Sequence, residues 1–264
     1  EYYPSVRRWM VMTAVSTDST PTRLSSTSAM SHSARVSGDR VAWISNTTTD
    51  GTHVYTWTAS GGTQKVTTTQ AARDDAWVSG DRIVWVEFIG DDSPHWQIVT
   101  WKAGDSAPTQ LSSGAHTHLT PRVSGDRVVW RERTGRYNQV YTWKPGYDAP
   151  LQLSGGNHHH CTPQVSGDRV VWKALDSSRH YQIETWRAGD GHVTQLTSTA
   201  TSHTNPKVSG NRVSWVRANA AGNADIYTWK AGEYSSTQVS HNTGASYYWQ
   251  MRGDRFCWVN DPRV

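Results

Sequence analysis

Three histidines occupy the same position relative to a proline, and a neutral imidazole is a common ligand of divalent metal ions. His118, His160 and His203 each lie three residues before a proline. Imidazoles that converge from neighbouring segments could hold a metal with an open coordination position, which would activate water. In the structural alternative, a duplicated loop keeps its histidine and the ring bonds the adjacent backbone. Both interpretations stay open, so the cofactor expectation is either none or a divalent metal ion.

A second set of residues lies two positions before the serine of a recurring turn and carries positive charge in alternate copies. The position holds Arg35, Trp77, Arg122, Gln164, Lys207 and, counted from Arg252, Gln250. If this position faces a central channel, its cations would converge and favour an anion or ordered water. Arg122 is therefore a candidate ligand-binding residue, and a solvated channel lining is the structural alternative.

Aromatic and histidine side chains in the longer loops form a third candidate set. Its members are Trp96, Tyr137, Tyr181, His116 and His158. Aromatic rings beside polar groups suit stacking on a sugar or contact with a protein partner. Packing within the loops is the competing interpretation.

The element that positions all three sets is a repeated segment, best seen in PQVSGDRVVW at residues 163–172. Its turn glycine recurs at intervals of 42 to 45 residues, at Gly38, Gly80, Gly125, Gly167, Gly210 and Gly253. A fixed period of this size indicates a repeat architecture. The aspartate after the glycine is interpreted as a turn residue, and Asn211 replaces it in one copy.

Each copy contains four short runs of β-branched and aromatic residues separated by turn residues. In the third copy the predicted strands are Thr120–Ser124, Arg127–Arg133, Asn138–Trp143 and Pro150–Ser154. Four strands joined by tight turns make an antiparallel sheet, and radial repetition of such sheets makes a β-propeller. The tryptophans that end the second and third strands are predicted to pack between blades.

The two ends of the chain each hold half of a copy. The sixth copy stops after its second strand, whereas residues 13–26 match the third and fourth strands of a complete copy. We therefore predict an all-β, single-domain fold over residues 1–264. It is a six-bladed β-propeller of four-stranded antiparallel blades, closed by residues 243–264 and 1–27, which share the last blade.

The repeat resembles the TolB-type propeller repeat of bacterial envelope and secreted proteins. SGDRVVW corresponds to that family's Ser-Pro-Asp-Gly-Lys segment and the strand after it, YTW to its Ile-Tyr strand, and QLT or QLS to its Leu-Thr ending. The turn proline is missing here. The family includes binding modules, peptidase-associated domains and polysaccharide lyases, some of which hold a metal with propeller histidines. The resemblance thus implies a fold and permits several functions.

Assigning the loops to the two ends of the strands separates the histidines. Loops that enter a first strand and loops between second and third strands share one end, which we call the top face. Eleven of the twelve histidines map there, and only His192 maps to the opposite end. Because binding residues concentrate on variable loops of a rigid scaffold, the top face is the predicted binding surface.

Composition excludes several classes of function. The net charge of +4 is spread along the chain without a basic run, so nucleic acid is not an expected partner. No segment approaches 18 consecutive apolar residues, so no membrane span is expected. A surface of Ser, Thr, Gly and Trp with few lysines is typical of a secreted, periplasmic or extracellular protein. A disulfide between Cys161 and Cys257 is one interpretation, and free thiols are the favoured one.

These observations favour a secreted, monomeric, non-enzymatic binding or scaffold propeller that uses its top face for a polysaccharide or protein partner. The alternative is a metal-dependent lyase or hydrolase of acidic polysaccharide, with His118, His160 and His203 as ligands of a metal at the channel mouth.

Overall fold

A computed structural model describes residues 9–15, 20–90, 95–218, 224–240 and 245–261. These residues form β-strands joined by turns, bends and irregular segments. Within this part of the chain, no helix is long and apolar enough to cross a membrane. The chain divides into two compact units, Glu1–Asp126 and Arg127–Val264.

The first unit contains two four-stranded antiparallel sheets whose strands follow chain order. The first sheet consists of β3 (Met30–Ser37), β4 (Arg40–Thr47), β5 (Gly51–Thr58) and β6 (Gly62–Lys65). The second consists of β7 (Arg73–Ser79), β8 (Arg82–Ile89), β9 (His95–Lys102) and β10 (Thr109–Gln110). The unit also contains the paired strands β1 (Met12–Thr13) and β2 (Thr22–Arg23), and β11 (Thr117–Ser124).

The second unit repeats this arrangement. The strands β12 (Arg127–Thr134), β13 (Tyr137–Trp143) and β14 (Leu151–Gln152) pair in chain order. One four-stranded sheet consists of β15 (His160–Ser166), β16 (Arg169–Leu175), β17 (Tyr181–Arg187) and β18 (Val193–Gln195). Another consists of β19 (His203–Ser209), β20 (Arg212–Ala218), β21 (Ala224–Lys230) and β22 (Thr237–Gln238). The last pair is β23 (Ala245–Arg252) with β24 (Arg255–Asp261).

The prediction of an all-β chain built from four-stranded antiparallel sheets is confirmed. At the chain ends, β1 and β2 form one two-stranded sheet, and β23 and β24 form another. These are the half-copies that the sequence indicates. Their union in one blade stays a prediction, and residues 1–8, 16–19, 243–244 and 262–264 of that blade lie outside the described residues.

The second-strand tryptophans of the first five copies lie in the core, whereas Trp258 of the sixth copy is 36% exposed, so the packing predicted for this position is wrong there. The five core indoles are at most 1% exposed: Trp43, Trp85, Trp130, Trp172 and Trp215. In three copies a third-strand tyrosine stacks on the indole, with ring centroids 5.7 to 6.5 Å apart, in the pairs Trp43–Tyr55, Trp130–Tyr141 and Trp215–Tyr227. Trp172 also packs against Val129 and Val140 of the preceding strands, so the core lies between successive sheets, as the repeat predicted.

A bulge in each first strand changes which side chains face the core. The residue that opens it has positive φ of 50° to 55° in Ser33, Asp75, Thr120, Thr162 and Asn205. In β15 the pairing shifts between Cys161 and Gln164, so that His160 lies opposite Ala174 but Gln164 lies opposite Val171. Because the side-chain period of a strand is two, the extra residue moves the side chains beyond it to the other face of the sheet.

The recurring Ser-Gly-Asp-Arg turn joins successive sheets within each unit. The turn glycine N–H donates to the serine Oγ of the preceding turn at 2.8 to 3.0 Å, in the pairs Gly80–Ser37, Gly125–Ser79, Gly210–Ser166 and Gly253–Ser209. The arginine donates to the aspartate of the following turn at 2.6 to 2.9 Å, in the pairs Arg40–Asp81, Arg82–Asp126, Arg127–Asp168 and Arg212–Asp254. The interpretation of these aspartates as turn residues alone was therefore incomplete.

The fourth copy lacks this ion pair because Asn211 stands in the following turn. Arg169 donates to Thr185 Oγ1 at 3.4 Å, as the other copies do, but its buried Nε has no partner among the described residues. Burial lowers the pKa of Arg169. By contrast, the hydrogen bond from Arg127 lowers the pKa of Asp168, as that from Arg82 does for Asp126.

Candidate functional site

Two arginines and one tryptophan form a cationic and aromatic cluster on the first strands of the first unit. The guanidinium carbon of Arg35 on β3 lies 4.5 Å from the ring centroid of Trp77 on β7. The guanidinium carbon of Arg122 on β11 lies 3.9 Å from the same centroid. Both distances are within the range of cation–π contacts. We call Arg35, Trp77, Arg122 and Asp75 the first-strand cluster.

Asp75 orients the first-strand cluster from the bulge of β7. One carboxylate oxygen, Oδ1, accepts the Trp77 indole N–H at 2.7 Å. The other, Oδ2, lies 3.4 Å from Nη1 of Arg122. Left-handed backbone is uncommon for an aspartate, and here φ is 50°. The bulge therefore aims this carboxylate at both partners.

The first-strand cluster carries two cations and one carboxylate, and part of it is accessible to solvent. Arg35 is exposed and Trp77 is half-buried. Burial lowers the pKa of Arg122, Asp75 opposes that effect, and the charge of Arg35 adds to it. The Nε of Arg122 is buried and has no hydrogen-bond partner among the described residues. The arrangement can therefore accept an anionic group from a ligand.

The equivalent position in the second unit repeats part of this chemistry. The ammonium of Lys207 lies 4.5 Å from the ring centroid of Trp249 and donates to that residue's carbonyl. Both Arg35 and Lys207 thus contact an aromatic ring of the following first strand. The predicted convergence of all these cations on one channel stays a prediction.

The three histidines of the metal hypothesis are buried, with 2% of His118, 6% of His160 and 3% of His203 exposed. Nδ1 of His118 lies 3.3 Å from the Trp96 carbonyl, Nε2 of His160 lies 3.2 Å from the Gly155 carbonyl, and Nε2 of His203 lies 2.8 Å from Thr199 Oγ1. Burial and the nearby charge of Arg217 lower the pKa of His203 to about 4.

Other residue types fill the same position in the first two copies. Ser31 and Arg73 are each 4% exposed there, and Arg73 pairs with Glu87 through both carboxylate oxygens at 2.7 and 2.9 Å. Among the described residues, no group of three or more His, Cys, Asp or Glu side chains could hold a metal ion. The position is core-facing in five copies, and the metal hypothesis stays a prediction that nothing here tests.

The predicted loop aromatics are half-buried, and each contacts a side chain that the sequence did not single out. Trp96 packs against Phe88 with centroids 5.3 Å apart, Tyr137 meets His159 at 5.4 Å, and the Lys173 ammonium lies 4.2 Å from the Tyr181 centroid. His116 and His158 are exposed, and His158 lines a cavity together with His160. His241 lies outside the described residues.

Sequence reasoning missed Asp75 and did not select Arg35 or Trp77 as site residues. The available signal was the bulge position, which holds small polar residues in four copies and a charged one only in the second. Cys161 and Cys257 are free, as expected.

Solved structures show what this arrangement of strands is similar to. An acylaminoacyl peptidase of Pyrococcus horikoshii matches 91% of this chain with a TM-score of 0.57 and 14% identity, and the match covers 43% of that chain. The β-propeller domain of the Trilobed protease from Pyrococcus furiosus, which has an open Velcro topology, matches 85% with a TM-score of 0.56 and 12% identity, over 71% of that chain. TolB from Acinetobacter baumannii matches 89% with a TM-score of 0.50 and 14% identity, over 60% of that chain.

The fold is that of the TolB-like β-propellers. The resemblance of the repeat to the TolB type is thus confirmed, and identities of 12 to 14% carry the fold alone. The chain spans 43% of the length of the acylaminoacyl peptidase. No family model matches the sequence, and neither does any curated protein sequence.

Proposed function

We propose that this TolB-like propeller is a secreted or periplasmic, non-enzymatic binding or scaffold protein that contacts an acidic segment of a protein partner. The observation that carries the proposal is the first-strand cluster, in which two guanidinium groups lie 4.5 and 3.9 Å from the ring centroid of one partly exposed indole. Guanidinium groups match carboxylates in charge and in planar geometry.

Preorganisation supports a binding role for the first-strand cluster. Asp75 holds the Trp77 indole at 2.7 Å, and the Arg122 side chain donates to the Pro121 carbonyl at 2.6 Å. Side chains that are already ordered lose less conformational entropy on binding. Tryptophan and arginine are also the residues most enriched at energetic hot spots of protein interfaces, which favours a protein over a polysaccharide partner.

The proposal includes the finer architecture that the sequence predicts. Six copies close into a monomeric six-bladed ring, with residues 243–264 and 1–27 sharing the last blade, and the first strands line its channel. The loop residues Trp96, Tyr137 and Tyr181 supply further contacts on the top face. Few lysines and many Ser, Thr and Gly residues support an exported location.

Titration of the whole chain with a polyglutamate peptide and with polygalacturonate tests this function. We expect Arg35→Gln and Arg122→Gln each to weaken peptide binding by about tenfold, or about 1.4 kcal/mol, without lowering the melting temperature enough to unfold the protein. Arg133→Gln is the matched control, because Arg133 is exposed and its replacement by glutamine removes the same charge. Equal losses in all three variants, or tighter binding of polygalacturonate than of the peptide, would contradict the proposed protein partner.

A further inference from the structure

The fourth copy departs from the repeat at two positions on one face of its sheet. The third-strand position that holds Tyr55, Tyr141 and Tyr227 in three copies, and Val99 in the second, holds Glu184 in the fourth. Two residues after the second-strand tryptophan, the other copies have Ser45, Glu87, Glu132 and Arg217, whereas this copy has Ala174. The pairing places Glu184 opposite Trp172, and Ala174 opposite Gln182, so both changes lie on the face that carries the buried indole.

A cavity of about 210 Å³ lies beside these two residues, since both Ala174 and Glu184 line it, and it opens to solvent. Its wall includes His158, His160, Ala174, Asp176, Gln182 and Glu184. In the fifth copy, the Arg217 guanidinium lies 5.5 Å from the centroid of Tyr227, which stacks on Trp215. In the fourth copy, the two substitutions instead place a methyl group and a carboxylate on the cavity wall.

Glu184 lines this cavity, and one of its carboxylate oxygens contacts neighbouring side chains. The Trp172 indole N–H donates to its Oε2 at 2.7 Å and is shared with Nδ1 of His160 at 3.1 Å, and that Nδ1 lies 3.3 Å from the same oxygen. Both of these contacts involve Oε2, and the side chain is 19% exposed, so Oε1 is the oxygen that a ligand would reach. Since Trp172 is fully buried and His160 is 6% exposed, a rigid base orients this carboxylate.

Asp176 supplies a second carboxylate to the wall. Its Oδ1 accepts the His180 backbone N–H at 2.8 Å, and its Oδ2 accepts the Gln182 amide at 2.8 Å. These hydrogen bonds lower the pKa of Asp176, and the bond from the His180 backbone has the largest effect. The carboxyl group is therefore ionised at neutral pH. Among the described residues, those that line the cavity include no lysine or arginine. In the second copy, by contrast, the buried Glu87 is neutralised by Arg73.

We propose that this cavity binds the ammonium or guanidinium group of an organic cation. Oε1 of Glu184 and the Asp176 carboxylate accept its N–H groups, and Ala174 and Leu175 contact its methylene stem. A volume of about 210 Å³ is smaller than the roughly 300–1,000 Å³ of pockets for drug-sized ligands, so it accommodates one functional group with a short stem. This site is separate from the first-strand cluster, which is proposed to bind the acidic partner, and it depends on different residues.

The charged group could belong to a free amine or to a basic side chain of a peptide, and the two sources are separable. Agmatine and cadaverine serve as free cations, and N-acetylated, C-amidated Gly-Arg-Gly and Gly-Lys-Gly serve as peptides. Calorimetric titration of the whole chain should give dissociation constants of about 1 mM or below for at least one cation. Peptides that bind tenfold more tightly than the free amines assign the site to a partner's side chain, and the reverse assigns it to a small cation.

Two variants at one position keep the test decisive. Glu184→Gln preserves shape and removes the charge, and it should weaken cation binding at least tenfold. Glu184→Tyr introduces the ring that three other copies have, so it should abolish binding while the melting temperature stays the same or rises. Asp148→Asn, an exposed carboxylate outside the cavity, should change nothing. No cation binding to the wild-type chain at 50 mM (about fifty times the expected dissociation constant), unchanged binding in both Glu184 variants, or equal binding of uncharged acetamide would overturn the proposal.

Discussion

Asn211→Asp should stabilise the protein, because it supplies the carboxylate that Arg169 lacks. The turn geometry already matches that of the paired copies: the Ala231 N–H donates to the Asn211 carbonyl at 2.9 Å, as the Ala188 N–H does to the Asp168 carbonyl at 3.0 Å. The backbone of an aspartate at position 211 would therefore be placed in its turn as the backbone of Asp168 is placed in its own. Arg169 is 4% exposed and its Nε is unpartnered among the described residues, so the new bond would satisfy a buried charged donor.

The magnitude follows from the existing pairs. A hydrogen bond to a charged group contributes about 1.5–3 kcal/mol, whereas exposed ion pairs contribute about 0.2–1 kcal/mol. The arginines of the four pairs are 2 to 15% exposed and the aspartates 47 to 66%, so solvent screens one partner of each pair. We therefore expect a gain of about 1 kcal/mol, which corresponds to about 2–4 °C in Tm for a chain of this length.

Thermal and urea unfolding of a double-mutant cycle measures this coupling. The cycle combines Asn211→Asp with Arg169→Met, and the gain should vanish in the Met background. It should also shrink in 1 M salt, where the screening length is about 3 Å. Asp168→Asn is the mirror experiment: it should cost about 1 kcal/mol, whereas a pure turn residue would tolerate asparagine. A gain that survives Arg169→Met would refute the ion-pair reasoning.

Two further changes test other parts of the fold. Because burial holds the pKa of His203 at about 4 against an ordinary value of 6.5, the unfolded chain binds more protons between these values. The free energy of unfolding should therefore fall as the pH drops from 6.5 to 4, and His203→Gln should flatten that fall in urea titrations, whereas replacing the exposed His192 by Gln should not. Deleting residues 1–26 removes β1 and β2 and uncovers Val41 and Trp43, which pack against the buried Val11. The deletion should lower Tm strongly or cause association; an unchanged melting curve in a monomeric truncated protein would contradict a structural role for this pair.

Strand positions were predictable because backbone preference and burial are local properties. In the third copy the predicted strands Arg127–Arg133 and Asn138–Trp143 match β12 (Arg127–Thr134) and β13 (Tyr137–Trp143) to within one residue. Five of the six second-strand tryptophans were correctly assigned to the core for the same reason, and Trp258, which is 36% exposed, was not. The outermost strand was overestimated, since Pro150–Ser154 became Leu151–Gln152, where pairing involves only two residues.

Side-chain partners were less predictable, because they depend on the stacking of sheets that are about 40 residues apart in sequence. The bulge decides that His118, His160 and His203 face the core, and a bulge leaves little trace in the pattern of residue types. Trp77 meets Arg35 and Arg122 from both neighbouring first strands, which no spacing within one copy indicates.

The amino-acid sequence by itself determined the repeat, the four-strand unit and the residues that differ between copies, because each of these is visible in the period of 42 to 45 residues. In the aligned copies of the repeat, Glu184 and Asn211 differ from the residue types that other copies have at the same positions. Only the tertiary structure decided what those differences do. The Asn211 turn leaves Arg169 without a carboxylate, and the Glu184 side chain lines a cavity that opens to solvent. Both outcomes depend on what lies opposite a side chain once the sheets have packed, and that is a property of neighbours in space rather than in sequence.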